Sequence, residues 1–524
     1  MKLIFSKGFI FFSIAVFSFT SCTKDLNREP FYGLNTATVY DDPANYIHVL
    51  AKCYAGLAIS GDQGPAGKPD ILGIDEGFSQ YLRVLYNLQE LPTDEAVCAW
   101  NDPGIPELHN MSWNSDNPFT KAMYYRIYFQ IPLCNELIRQ SDPATLKSRS
   151  FSETDISAIS LYHSEARFLR ALSYYHAMDL FGNVPFITEE DQPGAFFPKQ
   201  ILRADLFKYI ESELKDIEET LADPMQNAYG RADKAAAWSL LARLYLNAEV
   251  YTGQARYADC ITYCNKVINA GYTLEPKYQN LFLADNNLSR EIIFPITFDG
   301  LNTQTYGGTT FLVHAPVGGK MDPKAFGING GWGGYRTTSA FVAQFPDTLD
   351  QRNTFFTNGQ TLEINSISAF TDGYAIAKWK NVTSTGVPGS DPTGNYVDTN
   401  FPLFRLADIY LMYAESVARG GGGDMATAIN LVNQLRERAY GDATHDVASI
   451  DPLFILDERA RELYWEATRR TDLIRFGRFT GGTYIWPWKG GVKEGTSVPD
   501  YLSLFPLPAA DIIANNNLQQ NFGY

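Results

Sequence analysis

Aromatic side chains beside polar residues in loop-like stretches are the feature of this sequence with the clearest chemistry. Phe, Trp and Tyr make up 14% of the 524 residues, and several lie where glycine or proline interrupts any helical pattern. An aromatic ring covers the flat C–H face of a sugar, while Asn, Asp or Arg hydrogen-bonds its hydroxyl edge. The residues with this mixed character, which we predict to form a ligand site, are Trp100, Asn101, Asp102, Tyr306, Trp332, Tyr335 and Arg336.

Each of these rings also has a simpler interpretation, in which it packs its loop against the rest of the protein. The sequence leaves that alternative open, because Trp100 and Trp332 are 232 positions apart. The two indoles can belong to one site only if the loop 91–118 folds against the segment 297–400.

Motifs for catalysis are absent from the sequence. It has no HExxH, GxSxG, P-loop or GxGxxG pattern, and its six histidines do not have metal-ligand spacing. We therefore expect no cofactor and no metal. The sequence has no EF-hand-like loop, and calcium binding in another geometry stays open. The 59 acidic residues also leave a glycosidase pair open, because its two carboxyl groups need not be close in sequence.

Two helical stretches, 164–185 and 457–478, must position these loops. The first reads SEARFLRALSYYHAMDLFGNVP and the second DERARELYWEATRRTDLIRFGR, and each carries charged residues within an apolar pattern. An unpaired buried charge is costly, so these groups should be ion-paired. Arg170 and Asp179 are nine positions apart and cannot meet on one helix. We expect each to pair with a packed neighbour, for which the second stretch is a candidate.

The remaining pattern indicates helix pairs interrupted by one long irregular segment. Residues 233–270 and 403–438 resemble tetratricopeptide (TPR) units, without a strict 34-residue period. Residues 297–400 are rich in Gly, Thr, Asn and aromatics and show no helical period, and a long segment of that kind inside a compact protein is usually functional. The predicted fold is mostly α, an irregular TPR-like helix-pair scaffold with a loop-rich, mixed insertion carrying the ligand site.

The N-terminus has the pattern of a lipoprotein signal peptide. Lys2 and Lys7 precede an uncharged run of 13 residues, 8–20, which is too short to span a membrane as a helix. The run ends Phe-Thr-Ser-Cys, which predicts cleavage before Cys22 and acylation of that cysteine. An ordinary secretory signal followed by a chance cysteine is the alternative.

Charge and cysteine usage exclude two classes of protein. The formal net charge is −16, and it becomes −18 once the two lysines of the signal peptide are removed, which argues against a nucleic-acid surface. Five other cysteines, an odd number without regular spacing, do not form a disulfide framework. We predict that they are small buried hydrophobic residues.

Five stretches together resemble the SusD/RagB family of outer-membrane nutrient-binding lipoproteins, and they occur in the family order. The two helical stretches match its EARFLRAL…LFG-VP and ER-R-EL…DL-R-GR helices. Because the run WPWKGG is a general family pattern, we favour a structural role for Trp486 and Trp488. The five matching stretches are 164–185, 404–418 (FRLADIYLMYAESVA), 457–478, 486–491 (WPWKGG) and 504–524 (LFPLPAADIIANNNLQQNFGY).

The resemblance implies a non-enzymatic, lipid-anchored protein on the outside of the outer membrane. Such a protein would bind glycan nutrients on loops of a TPR-like scaffold and deliver them to a SusC-like TonB-dependent transporter. The divisions that we predict are a signal peptide 1–21, a tether and N-terminal segment 22–44, a helical scaffold 45–296, a ligand-binding insertion 297–400 and C-terminal helices with closing loops 401–524, with 22–524 as one SusD-like unit.

Two other classes of function remain as alternatives. One is a lipid-anchored secreted hydrolase with a TPR-like accessory scaffold, and the other is a TPR-type scaffold that binds peptides. A pure TPR adaptor has no need of an irregular, aromatic-rich segment like 297–400. Incubation with glycans separates the binding protein, which retains them intact, from the hydrolase, which produces new reducing ends.

Overall fold

Helices dominate the fold. The computed structural model describes residues 39–524 apart from 192, 193 and 195, so the predicted signal peptide 1–21 and Cys22 lie outside the described residues. Helix accounts for 46% and strand for 7%, which confirms the prediction of a mostly α protein. The α-helices are α1 (Tyr46–Ala58), α2 (Tyr81–Glu90), α3 (Ile105–His109), α4 (Pro118–Gln140), α5 (Pro143–Ser148), α6 (Glu153–Phe181), α7 (Arg203–Asp216), α8 (Lys234–Leu246), α9 (Ala248–Thr252), α10 (Tyr257–Ile268), α11 (Gly308–His314), α12 (Ser339–Val342), α13 (Leu406–Ala418), α14 (Met425–Tyr440), α15 (Pro452–Leu463), α16 (Arg469–Arg475) and α17 (Ala509–Ala514).

The strands are short and pair two by two, always antiparallel. The pairs are β1 with β2, β3 with β7, β4 with β5, β6 with β10 and β8 with β9. They therefore tie loops together rather than form a separate layer. The strands are β1 (Gly61–Gln63), β2 (Lys68–Pro69), β3 (Val97–Cys98), β4 (Val184–Pro185), β5 (Gln200–Ile201), β6 (Ile292–Ile296), β7 (Tyr335–Arg336), β8 (Phe355–Phe356), β9 (Ala375–Ile376) and β10 (Phe401–Arg405).

Helix α6 is the long core helix predicted from the stretch 164–185. The Ser152 side chain caps its first turn, and the helix ends at Gly182, whose φ is 72°. The side chains of its second half are nearly all buried, because α1, α4 and α7 pack around it. Arg170, on this half, pairs with Glu213 (2.6 Å) and with Glu189. Its partners thus lie on α7 and in the loop after β4, and not in the stretch 457–478.

The scaffold consists of helices that stack on one another in sequence. Helix α8 packs on α10, α10 on α13, and α13 on both α14 and α15. Apolar residues at these contacts, such as Leu240 and Leu244 of α8 and Cys264 of α10, are fully buried. The prediction of TPR-like helix pairs in an irregular stack is confirmed, and so is the prediction that the five cysteines are free and buried.

The second core stretch, 457–478, is two helices and not one. Helix α15 ends at Leu463 and α16 begins at Arg469. Between them Trp465 and Ala467 adopt φ values of 58° and 60°, a left-handed region that non-glycine residues rarely occupy. Their backbone N–H groups donate to the Glu95 and Glu90 carboxylates, respectively, so tertiary contacts hold a break that the helical pattern does not predict.

The loop-rich segment 297–400 leaves and rejoins the scaffold through one strand pair. In the β6–β10 ladder Ile296 lies opposite Phe401, so the two ends of the segment are held side by side. The segment contains two short α-helices, α11 and α12, one 3-10 turn at Pro323–Phe326 and three short strands among its loops. Its lack of a helical period reflects the shortness of these elements.

Candidate functional site

Strands β3 and β7 bring the two predicted loop regions together. Cys98 lies opposite Tyr335 in this ladder, and the Ala99 N–H donates to the Gly334 carbonyl oxygen (2.8 Å). The chain on either side of the ladder therefore places Trp100 next to Trp332. The indole N–H of Trp100 donates to the Trp332 carbonyl oxygen (3.1 Å), so the two loops meet as a single site requires.

Four rings follow one another along this surface. The centroid distances are 6.2 Å from Trp100 to Trp332, 6.4 Å from Trp332 to Tyr306 and 6.2 Å from Tyr306 to Tyr396. Successive rings are inclined by 49°, 73° and 32°, so their planes turn along the row. We call these four residues the aromatic row. Tyr306 is 41% exposed, and both tryptophans are partly buried.

Backbone hydrogen bonds hold the loops that carry these rings. The N–H groups of Gly333 and Gly334 donate to the carbonyl oxygens of Val317 (2.9 Å) and Ala315 (2.8 Å). A Cβ on Gly334 would overlap the Trp100 indole, so only glycine lets that ring lie against the chain. The row therefore rests on a loop that is anchored behind it.

The Tyr396 end of the row is organised by one carboxylate. Asp391 accepts the backbone N–H groups of Thr393 (2.9 Å), Asn395 (3.0 Å) and Tyr396 (2.9 Å). This turn holds the tyrosine beside Tyr306. Burial, and then the neighbouring Tyr306 hydroxyl, raise the pKa of Tyr396 to about 12, so its hydroxyl stays a neutral hydrogen-bonding group at physiological pH.

Two of the predicted site residues are structural, which corrects the prediction made for them. Tyr335 is buried, and its hydroxyl donates to Asn87 (2.7 Å) while its ring packs against Trp100 with centroids 5.7 Å apart. Arg336 is fully buried, and its guanidinium donates to the carbonyl oxygens of Asp372, Gly334 and Ile367. A guanidinium held by three backbone carbonyls in the interior does not reach a surface ligand. Both residues are loop supports for the row.

Sequence reasoning missed Arg83 and Tyr396. Arg83 lies on α2, its Cζ is 6.0 Å from the Trp332 ring centroid, and it donates to the Tyr306 carbonyl oxygen (2.8 Å). Nothing in the local sequence distinguishes this arginine from one on a solvated helix face. Tyr396 had a usable signal, because it follows Gly394 and Asn395 in the same kind of loop as the other candidates.

Polar groups lie at both ends of the row. Asn101 and Asp102 are exposed next to Trp100, as predicted for hydroxyl-binding side chains. At the other end the Asn329 side chain donates to that of Asn395 (2.6 Å), and both are exposed. Half-exposed rings bordered by amides and a carboxylate can stack on sugar faces and hydrogen-bond their edges.

Trp486 has the structural role that we favoured. It is 2% exposed, and the Lys489 ammonium lies 4.2 Å from its ring centroid. Over residues 39–191, 194 and 196–524, no three His, Cys, Asp or Glu side chains converge as a metal-ligand set. None of the helices described in those ranges is long and apolar enough to cross a membrane.

Comparison with known proteins identifies the fold and the family. Residues 240–524 match the model of the SusD family, and residues 90–246 match a model described as "Starch-binding associating with outer membrane". The chain belongs to the SusD family. The resemblance inferred from the five sequence stretches is therefore confirmed.

Relatives in this family match all or much of the chain. The starch-binding protein SusD of Bacteroides thetaiotaomicron is 37% identical, over 100% of this chain and 99% of that protein. A SusD-like protein of Bacteroides ovatus is 28% identical over 60% of this chain and 59% of its own length.

Solved structures share the fold at lower identity. Surface glycan-binding protein A of Bacteroides thetaiotaomicron, in complex with laminarihexaose, has a TM-score of 0.70 at 19% identity, covering 91% of this chain and 99% of that one. A SusD superfamily protein of Parabacteroides distasonis also has a TM-score of 0.70, at 22% identity, covering 94% and 100% of the two chains.

Proposed function

We propose that this SusD-family protein binds glycan chains on the aromatic row and does not cleave them. The observation that carries the proposal is the convergence of Trp100 and Trp332, which are 232 positions apart and yet lie with ring centroids separated by 6.2 Å. The exposed Asn101 and Asp102 supply hydroxyl-binding groups at one end. Together they have the composition of a site that stacks on sugars and reads their edges.

The class of glycan that best fits is a curved α-glucan such as starch. The 37% identical relative is named a starch-binding protein, and its alignment covers this whole chain. The turn of the ring planes along the row supports the same choice, since inclined rings follow a curved chain better than a flat ribbon. The laminarihexaose-bound neighbour shares the fold at 19% identity, too low to carry its ligand to this chain.

Titration of the soluble mature protein with oligosaccharides of equal length tests the proposal. Maltohexaose, laminarihexaose and cellohexaose have the same number of glucose units and differ in linkage, so size is controlled. We expect maltohexaose to bind most tightly by isothermal titration calorimetry. Equal or absent binding of all three would overturn the α-glucan assignment, and retention of a different polysaccharide on an affinity gel would redirect it.

The hydrolase alternative makes an opposite prediction in the same samples. A glycosidase needs two carboxyl groups about 5–10 Å apart on either side of the scissile bond. Asp102 is exposed at one end of the row, whereas the Asp391 carboxylate is occupied by three backbone N–H groups. We expect no new reducing ends after prolonged incubation with starch, and their appearance would support an enzyme.

The location and partner form the remaining part of the proposal. A model described as associating with the outer membrane matches residues 90–246. We infer a lipid-anchored protein on the outer face of that membrane, which passes its glycan to a SusC-like TonB-dependent transporter. Gentle detergent extraction and affinity purification should recover a transporter barrel with this protein. Its consistent absence would remove the delivery step while leaving the binding proposal in place.

A further inference from the structure

The residue behind Trp332 is a histidine that no motif singled out. His314 is the last residue of α11, is 2% exposed, and stacks on the Trp332 indole with centroids 5.0 Å apart and ring planes inclined by 23°. The three successive ring pairs within the aromatic row are less parallel, and their centroids are farther apart. The stack covers one face of the indole with a flat, rigid ring.

Two further contacts join the same histidine to the loop that carries Trp332. The backbone N–H of Trp332 donates to the His314 carbonyl oxygen (2.8 Å). The His314 ring nitrogen Nδ1 lies 2.7 Å from the Gly330 carbonyl oxygen. A carbonyl oxygen can only accept, so Nδ1 carries the proton and the neutral ring is the Nε2-unprotonated tautomer. His314 therefore contacts Trp332 through its ring and its backbone, and the preceding turn through Nδ1.

We propose that His314 is a positioning residue that holds the Trp332 indole in the orientation in which it stacks on the glycan. The proposal rests on the proposed function, because it assigns His314 a role in the same site without contact to the ligand. A tryptophan in a glycine-rich loop has rotamer freedom that binding would have to remove. The parallel His314 ring restrains the indole from one side, and the backbone hydrogen bond between Trp332 and His314 holds the loop there. Both contacts are in place before the ligand arrives.

The neutral state of the imidazole suits this role. Burial lowers the pKa of His314, while its hydrogen bonds to the backbone at Gly330 and Asn395 act in the opposite direction. The ring is therefore uncharged at neutral pH and stacks as an aromatic surface.

A double-mutant cycle on glycan affinity tests the proposal. We expect His314→Ala to weaken maltohexaose binding about two- to tenfold, the range for loss of one aromatic contact. His314→Phe, which keeps the parallel ring, should retain most of the affinity. In the Trp332→Ala background His314→Ala should cause no further loss, because the histidine acts through that indole. A full additional loss in that background would overturn the proposal.

A spectroscopic measurement separates this inference from the binding proposal. With 5-fluorotryptophan incorporated, the Trp332 resonance is assigned as the ¹⁹F signal lost in Trp332→Phe. His314→Ala should shift or broaden that signal and leave the signal of Trp488 unchanged. This readout does not require a ligand, so it reports on positioning even if Trp332→Ala binds glycan normally. An unmoved Trp332 signal would show that His314 does not position the indole.

His109→Phe is the matched control for folding. His109 is also buried, at 4% exposure, but it lies on α3 outside the aromatic row. Its replacement should leave glycan affinity and the Trp332 resonance as in the native protein. Equal losses in His109→Phe and His314→Ala would mean that any buried histidine matters through stability, which would contradict a specific role.

Discussion

Arg470 and Asp179 form an ion pair that joins the two core stretches, with 3.1 Å between Arg470 Nη1 and Asp179 Oδ2. The residues are 291 positions apart, one on α16 and the other in the last turns of α6. Asp179 also accepts hydrogen bonds from Tyr251 (2.8 Å) and Gln89 (3.0 Å). The Arg470 guanidinium lowers the pKa of Asp179, which burial alone would raise. This pair confirms the expectation that Asp179 pairs with a packed neighbour, and the neighbour lies in the candidate stretch 457–478.

Breaking this pair from one side should be strongly destabilising. Arg470→Met leaves a buried carboxylate without its cation, a change that costs about 3–5 kcal/mol. Urea denaturation followed by circular dichroism measures the loss. The control is Lys208→Met, which removes an exposed pair with Asp205 and should change stability by less than about 1 kcal/mol. Similar small effects of both substitutions would mean that the Arg470 charge is compensated elsewhere.

The buried Glu90–Glu95 pair should make the protein less stable as pH rises. Burial raises the pKa of Glu95 to about 7, and burial together with the neighbouring Glu95 charge raises the pKa of Glu90 well above its usual range. The folded protein thus holds protons that the unfolded chain has released above its ordinary pKa near 4.5. The free energy of unfolding should therefore fall between about pH 5 and 7.

Glu90→Gln tests this dependence with little change in shape. Glutamine keeps an acceptor oxygen for the Ala467 N–H and can donate to Glu95. We expect a flatter stability curve between pH 5 and 8 and a variant more stable than the native protein at pH 8. The measurement stays above pH 5 because other acids complicate the curve below it. Paired acids with lowered pKa values, such as Asp408, contribute stability that the protein loses at lower pH. Parallel stability curves for the two proteins would show that the pKa of Glu90 is not raised in the folded protein.

Removal of one ring from the aromatic row should weaken glycan binding without unfolding the protein. A ring stacked on a sugar is worth about 1–2 kcal/mol, so Trp100→Ala or Trp332→Ala should bind maltohexaose about five- to thirtyfold more weakly. Tyr306→Ala is compared with Tyr229→Ala, since these tyrosines are exposed to similar extents, 41% and 47%. Only the first should lose affinity. Native affinity in both tryptophan variants would make these rings packing residues.

Acylation of Cys22 should account for membrane attachment. Cys22→Ala removes the predicted lipidation site, and the variant should incorporate no radiolabelled palmitate and appear in the soluble fraction. The native protein, labelled under the same conditions, is the reference. A variant that stays in the outer-membrane fraction would show that another contact holds the protein there.

Much of the scaffold could be predicted from local sequence because its signals are local. The apolar pattern, Gly182 and Pro185 define the end of α6 from neighbouring residues alone. Trp100, Trp332 and Tyr306 could be recognised as candidate ligand-binding residues from local sequence as well. They lie in loop-like stretches, where no helical pattern assigns their rings to the core. The break between α15 and α16 could not be predicted, because carboxylates of Glu90 and Glu95, about 370 positions away, hold it.

The sequence by itself determined the family, the helical scaffold and the regions that carry the candidate site. Only the tertiary structure decided which residues belong to the site: it buried Tyr335 and Arg336 as supports, it added Arg83 and Tyr396 beside the rings, and it placed His314 behind Trp332. The physical reason is that a side chain's exposure depends on what the rest of the chain packs against it. Residues brought together from hundreds of positions apart leave no periodic trace in the sequence near any one of them.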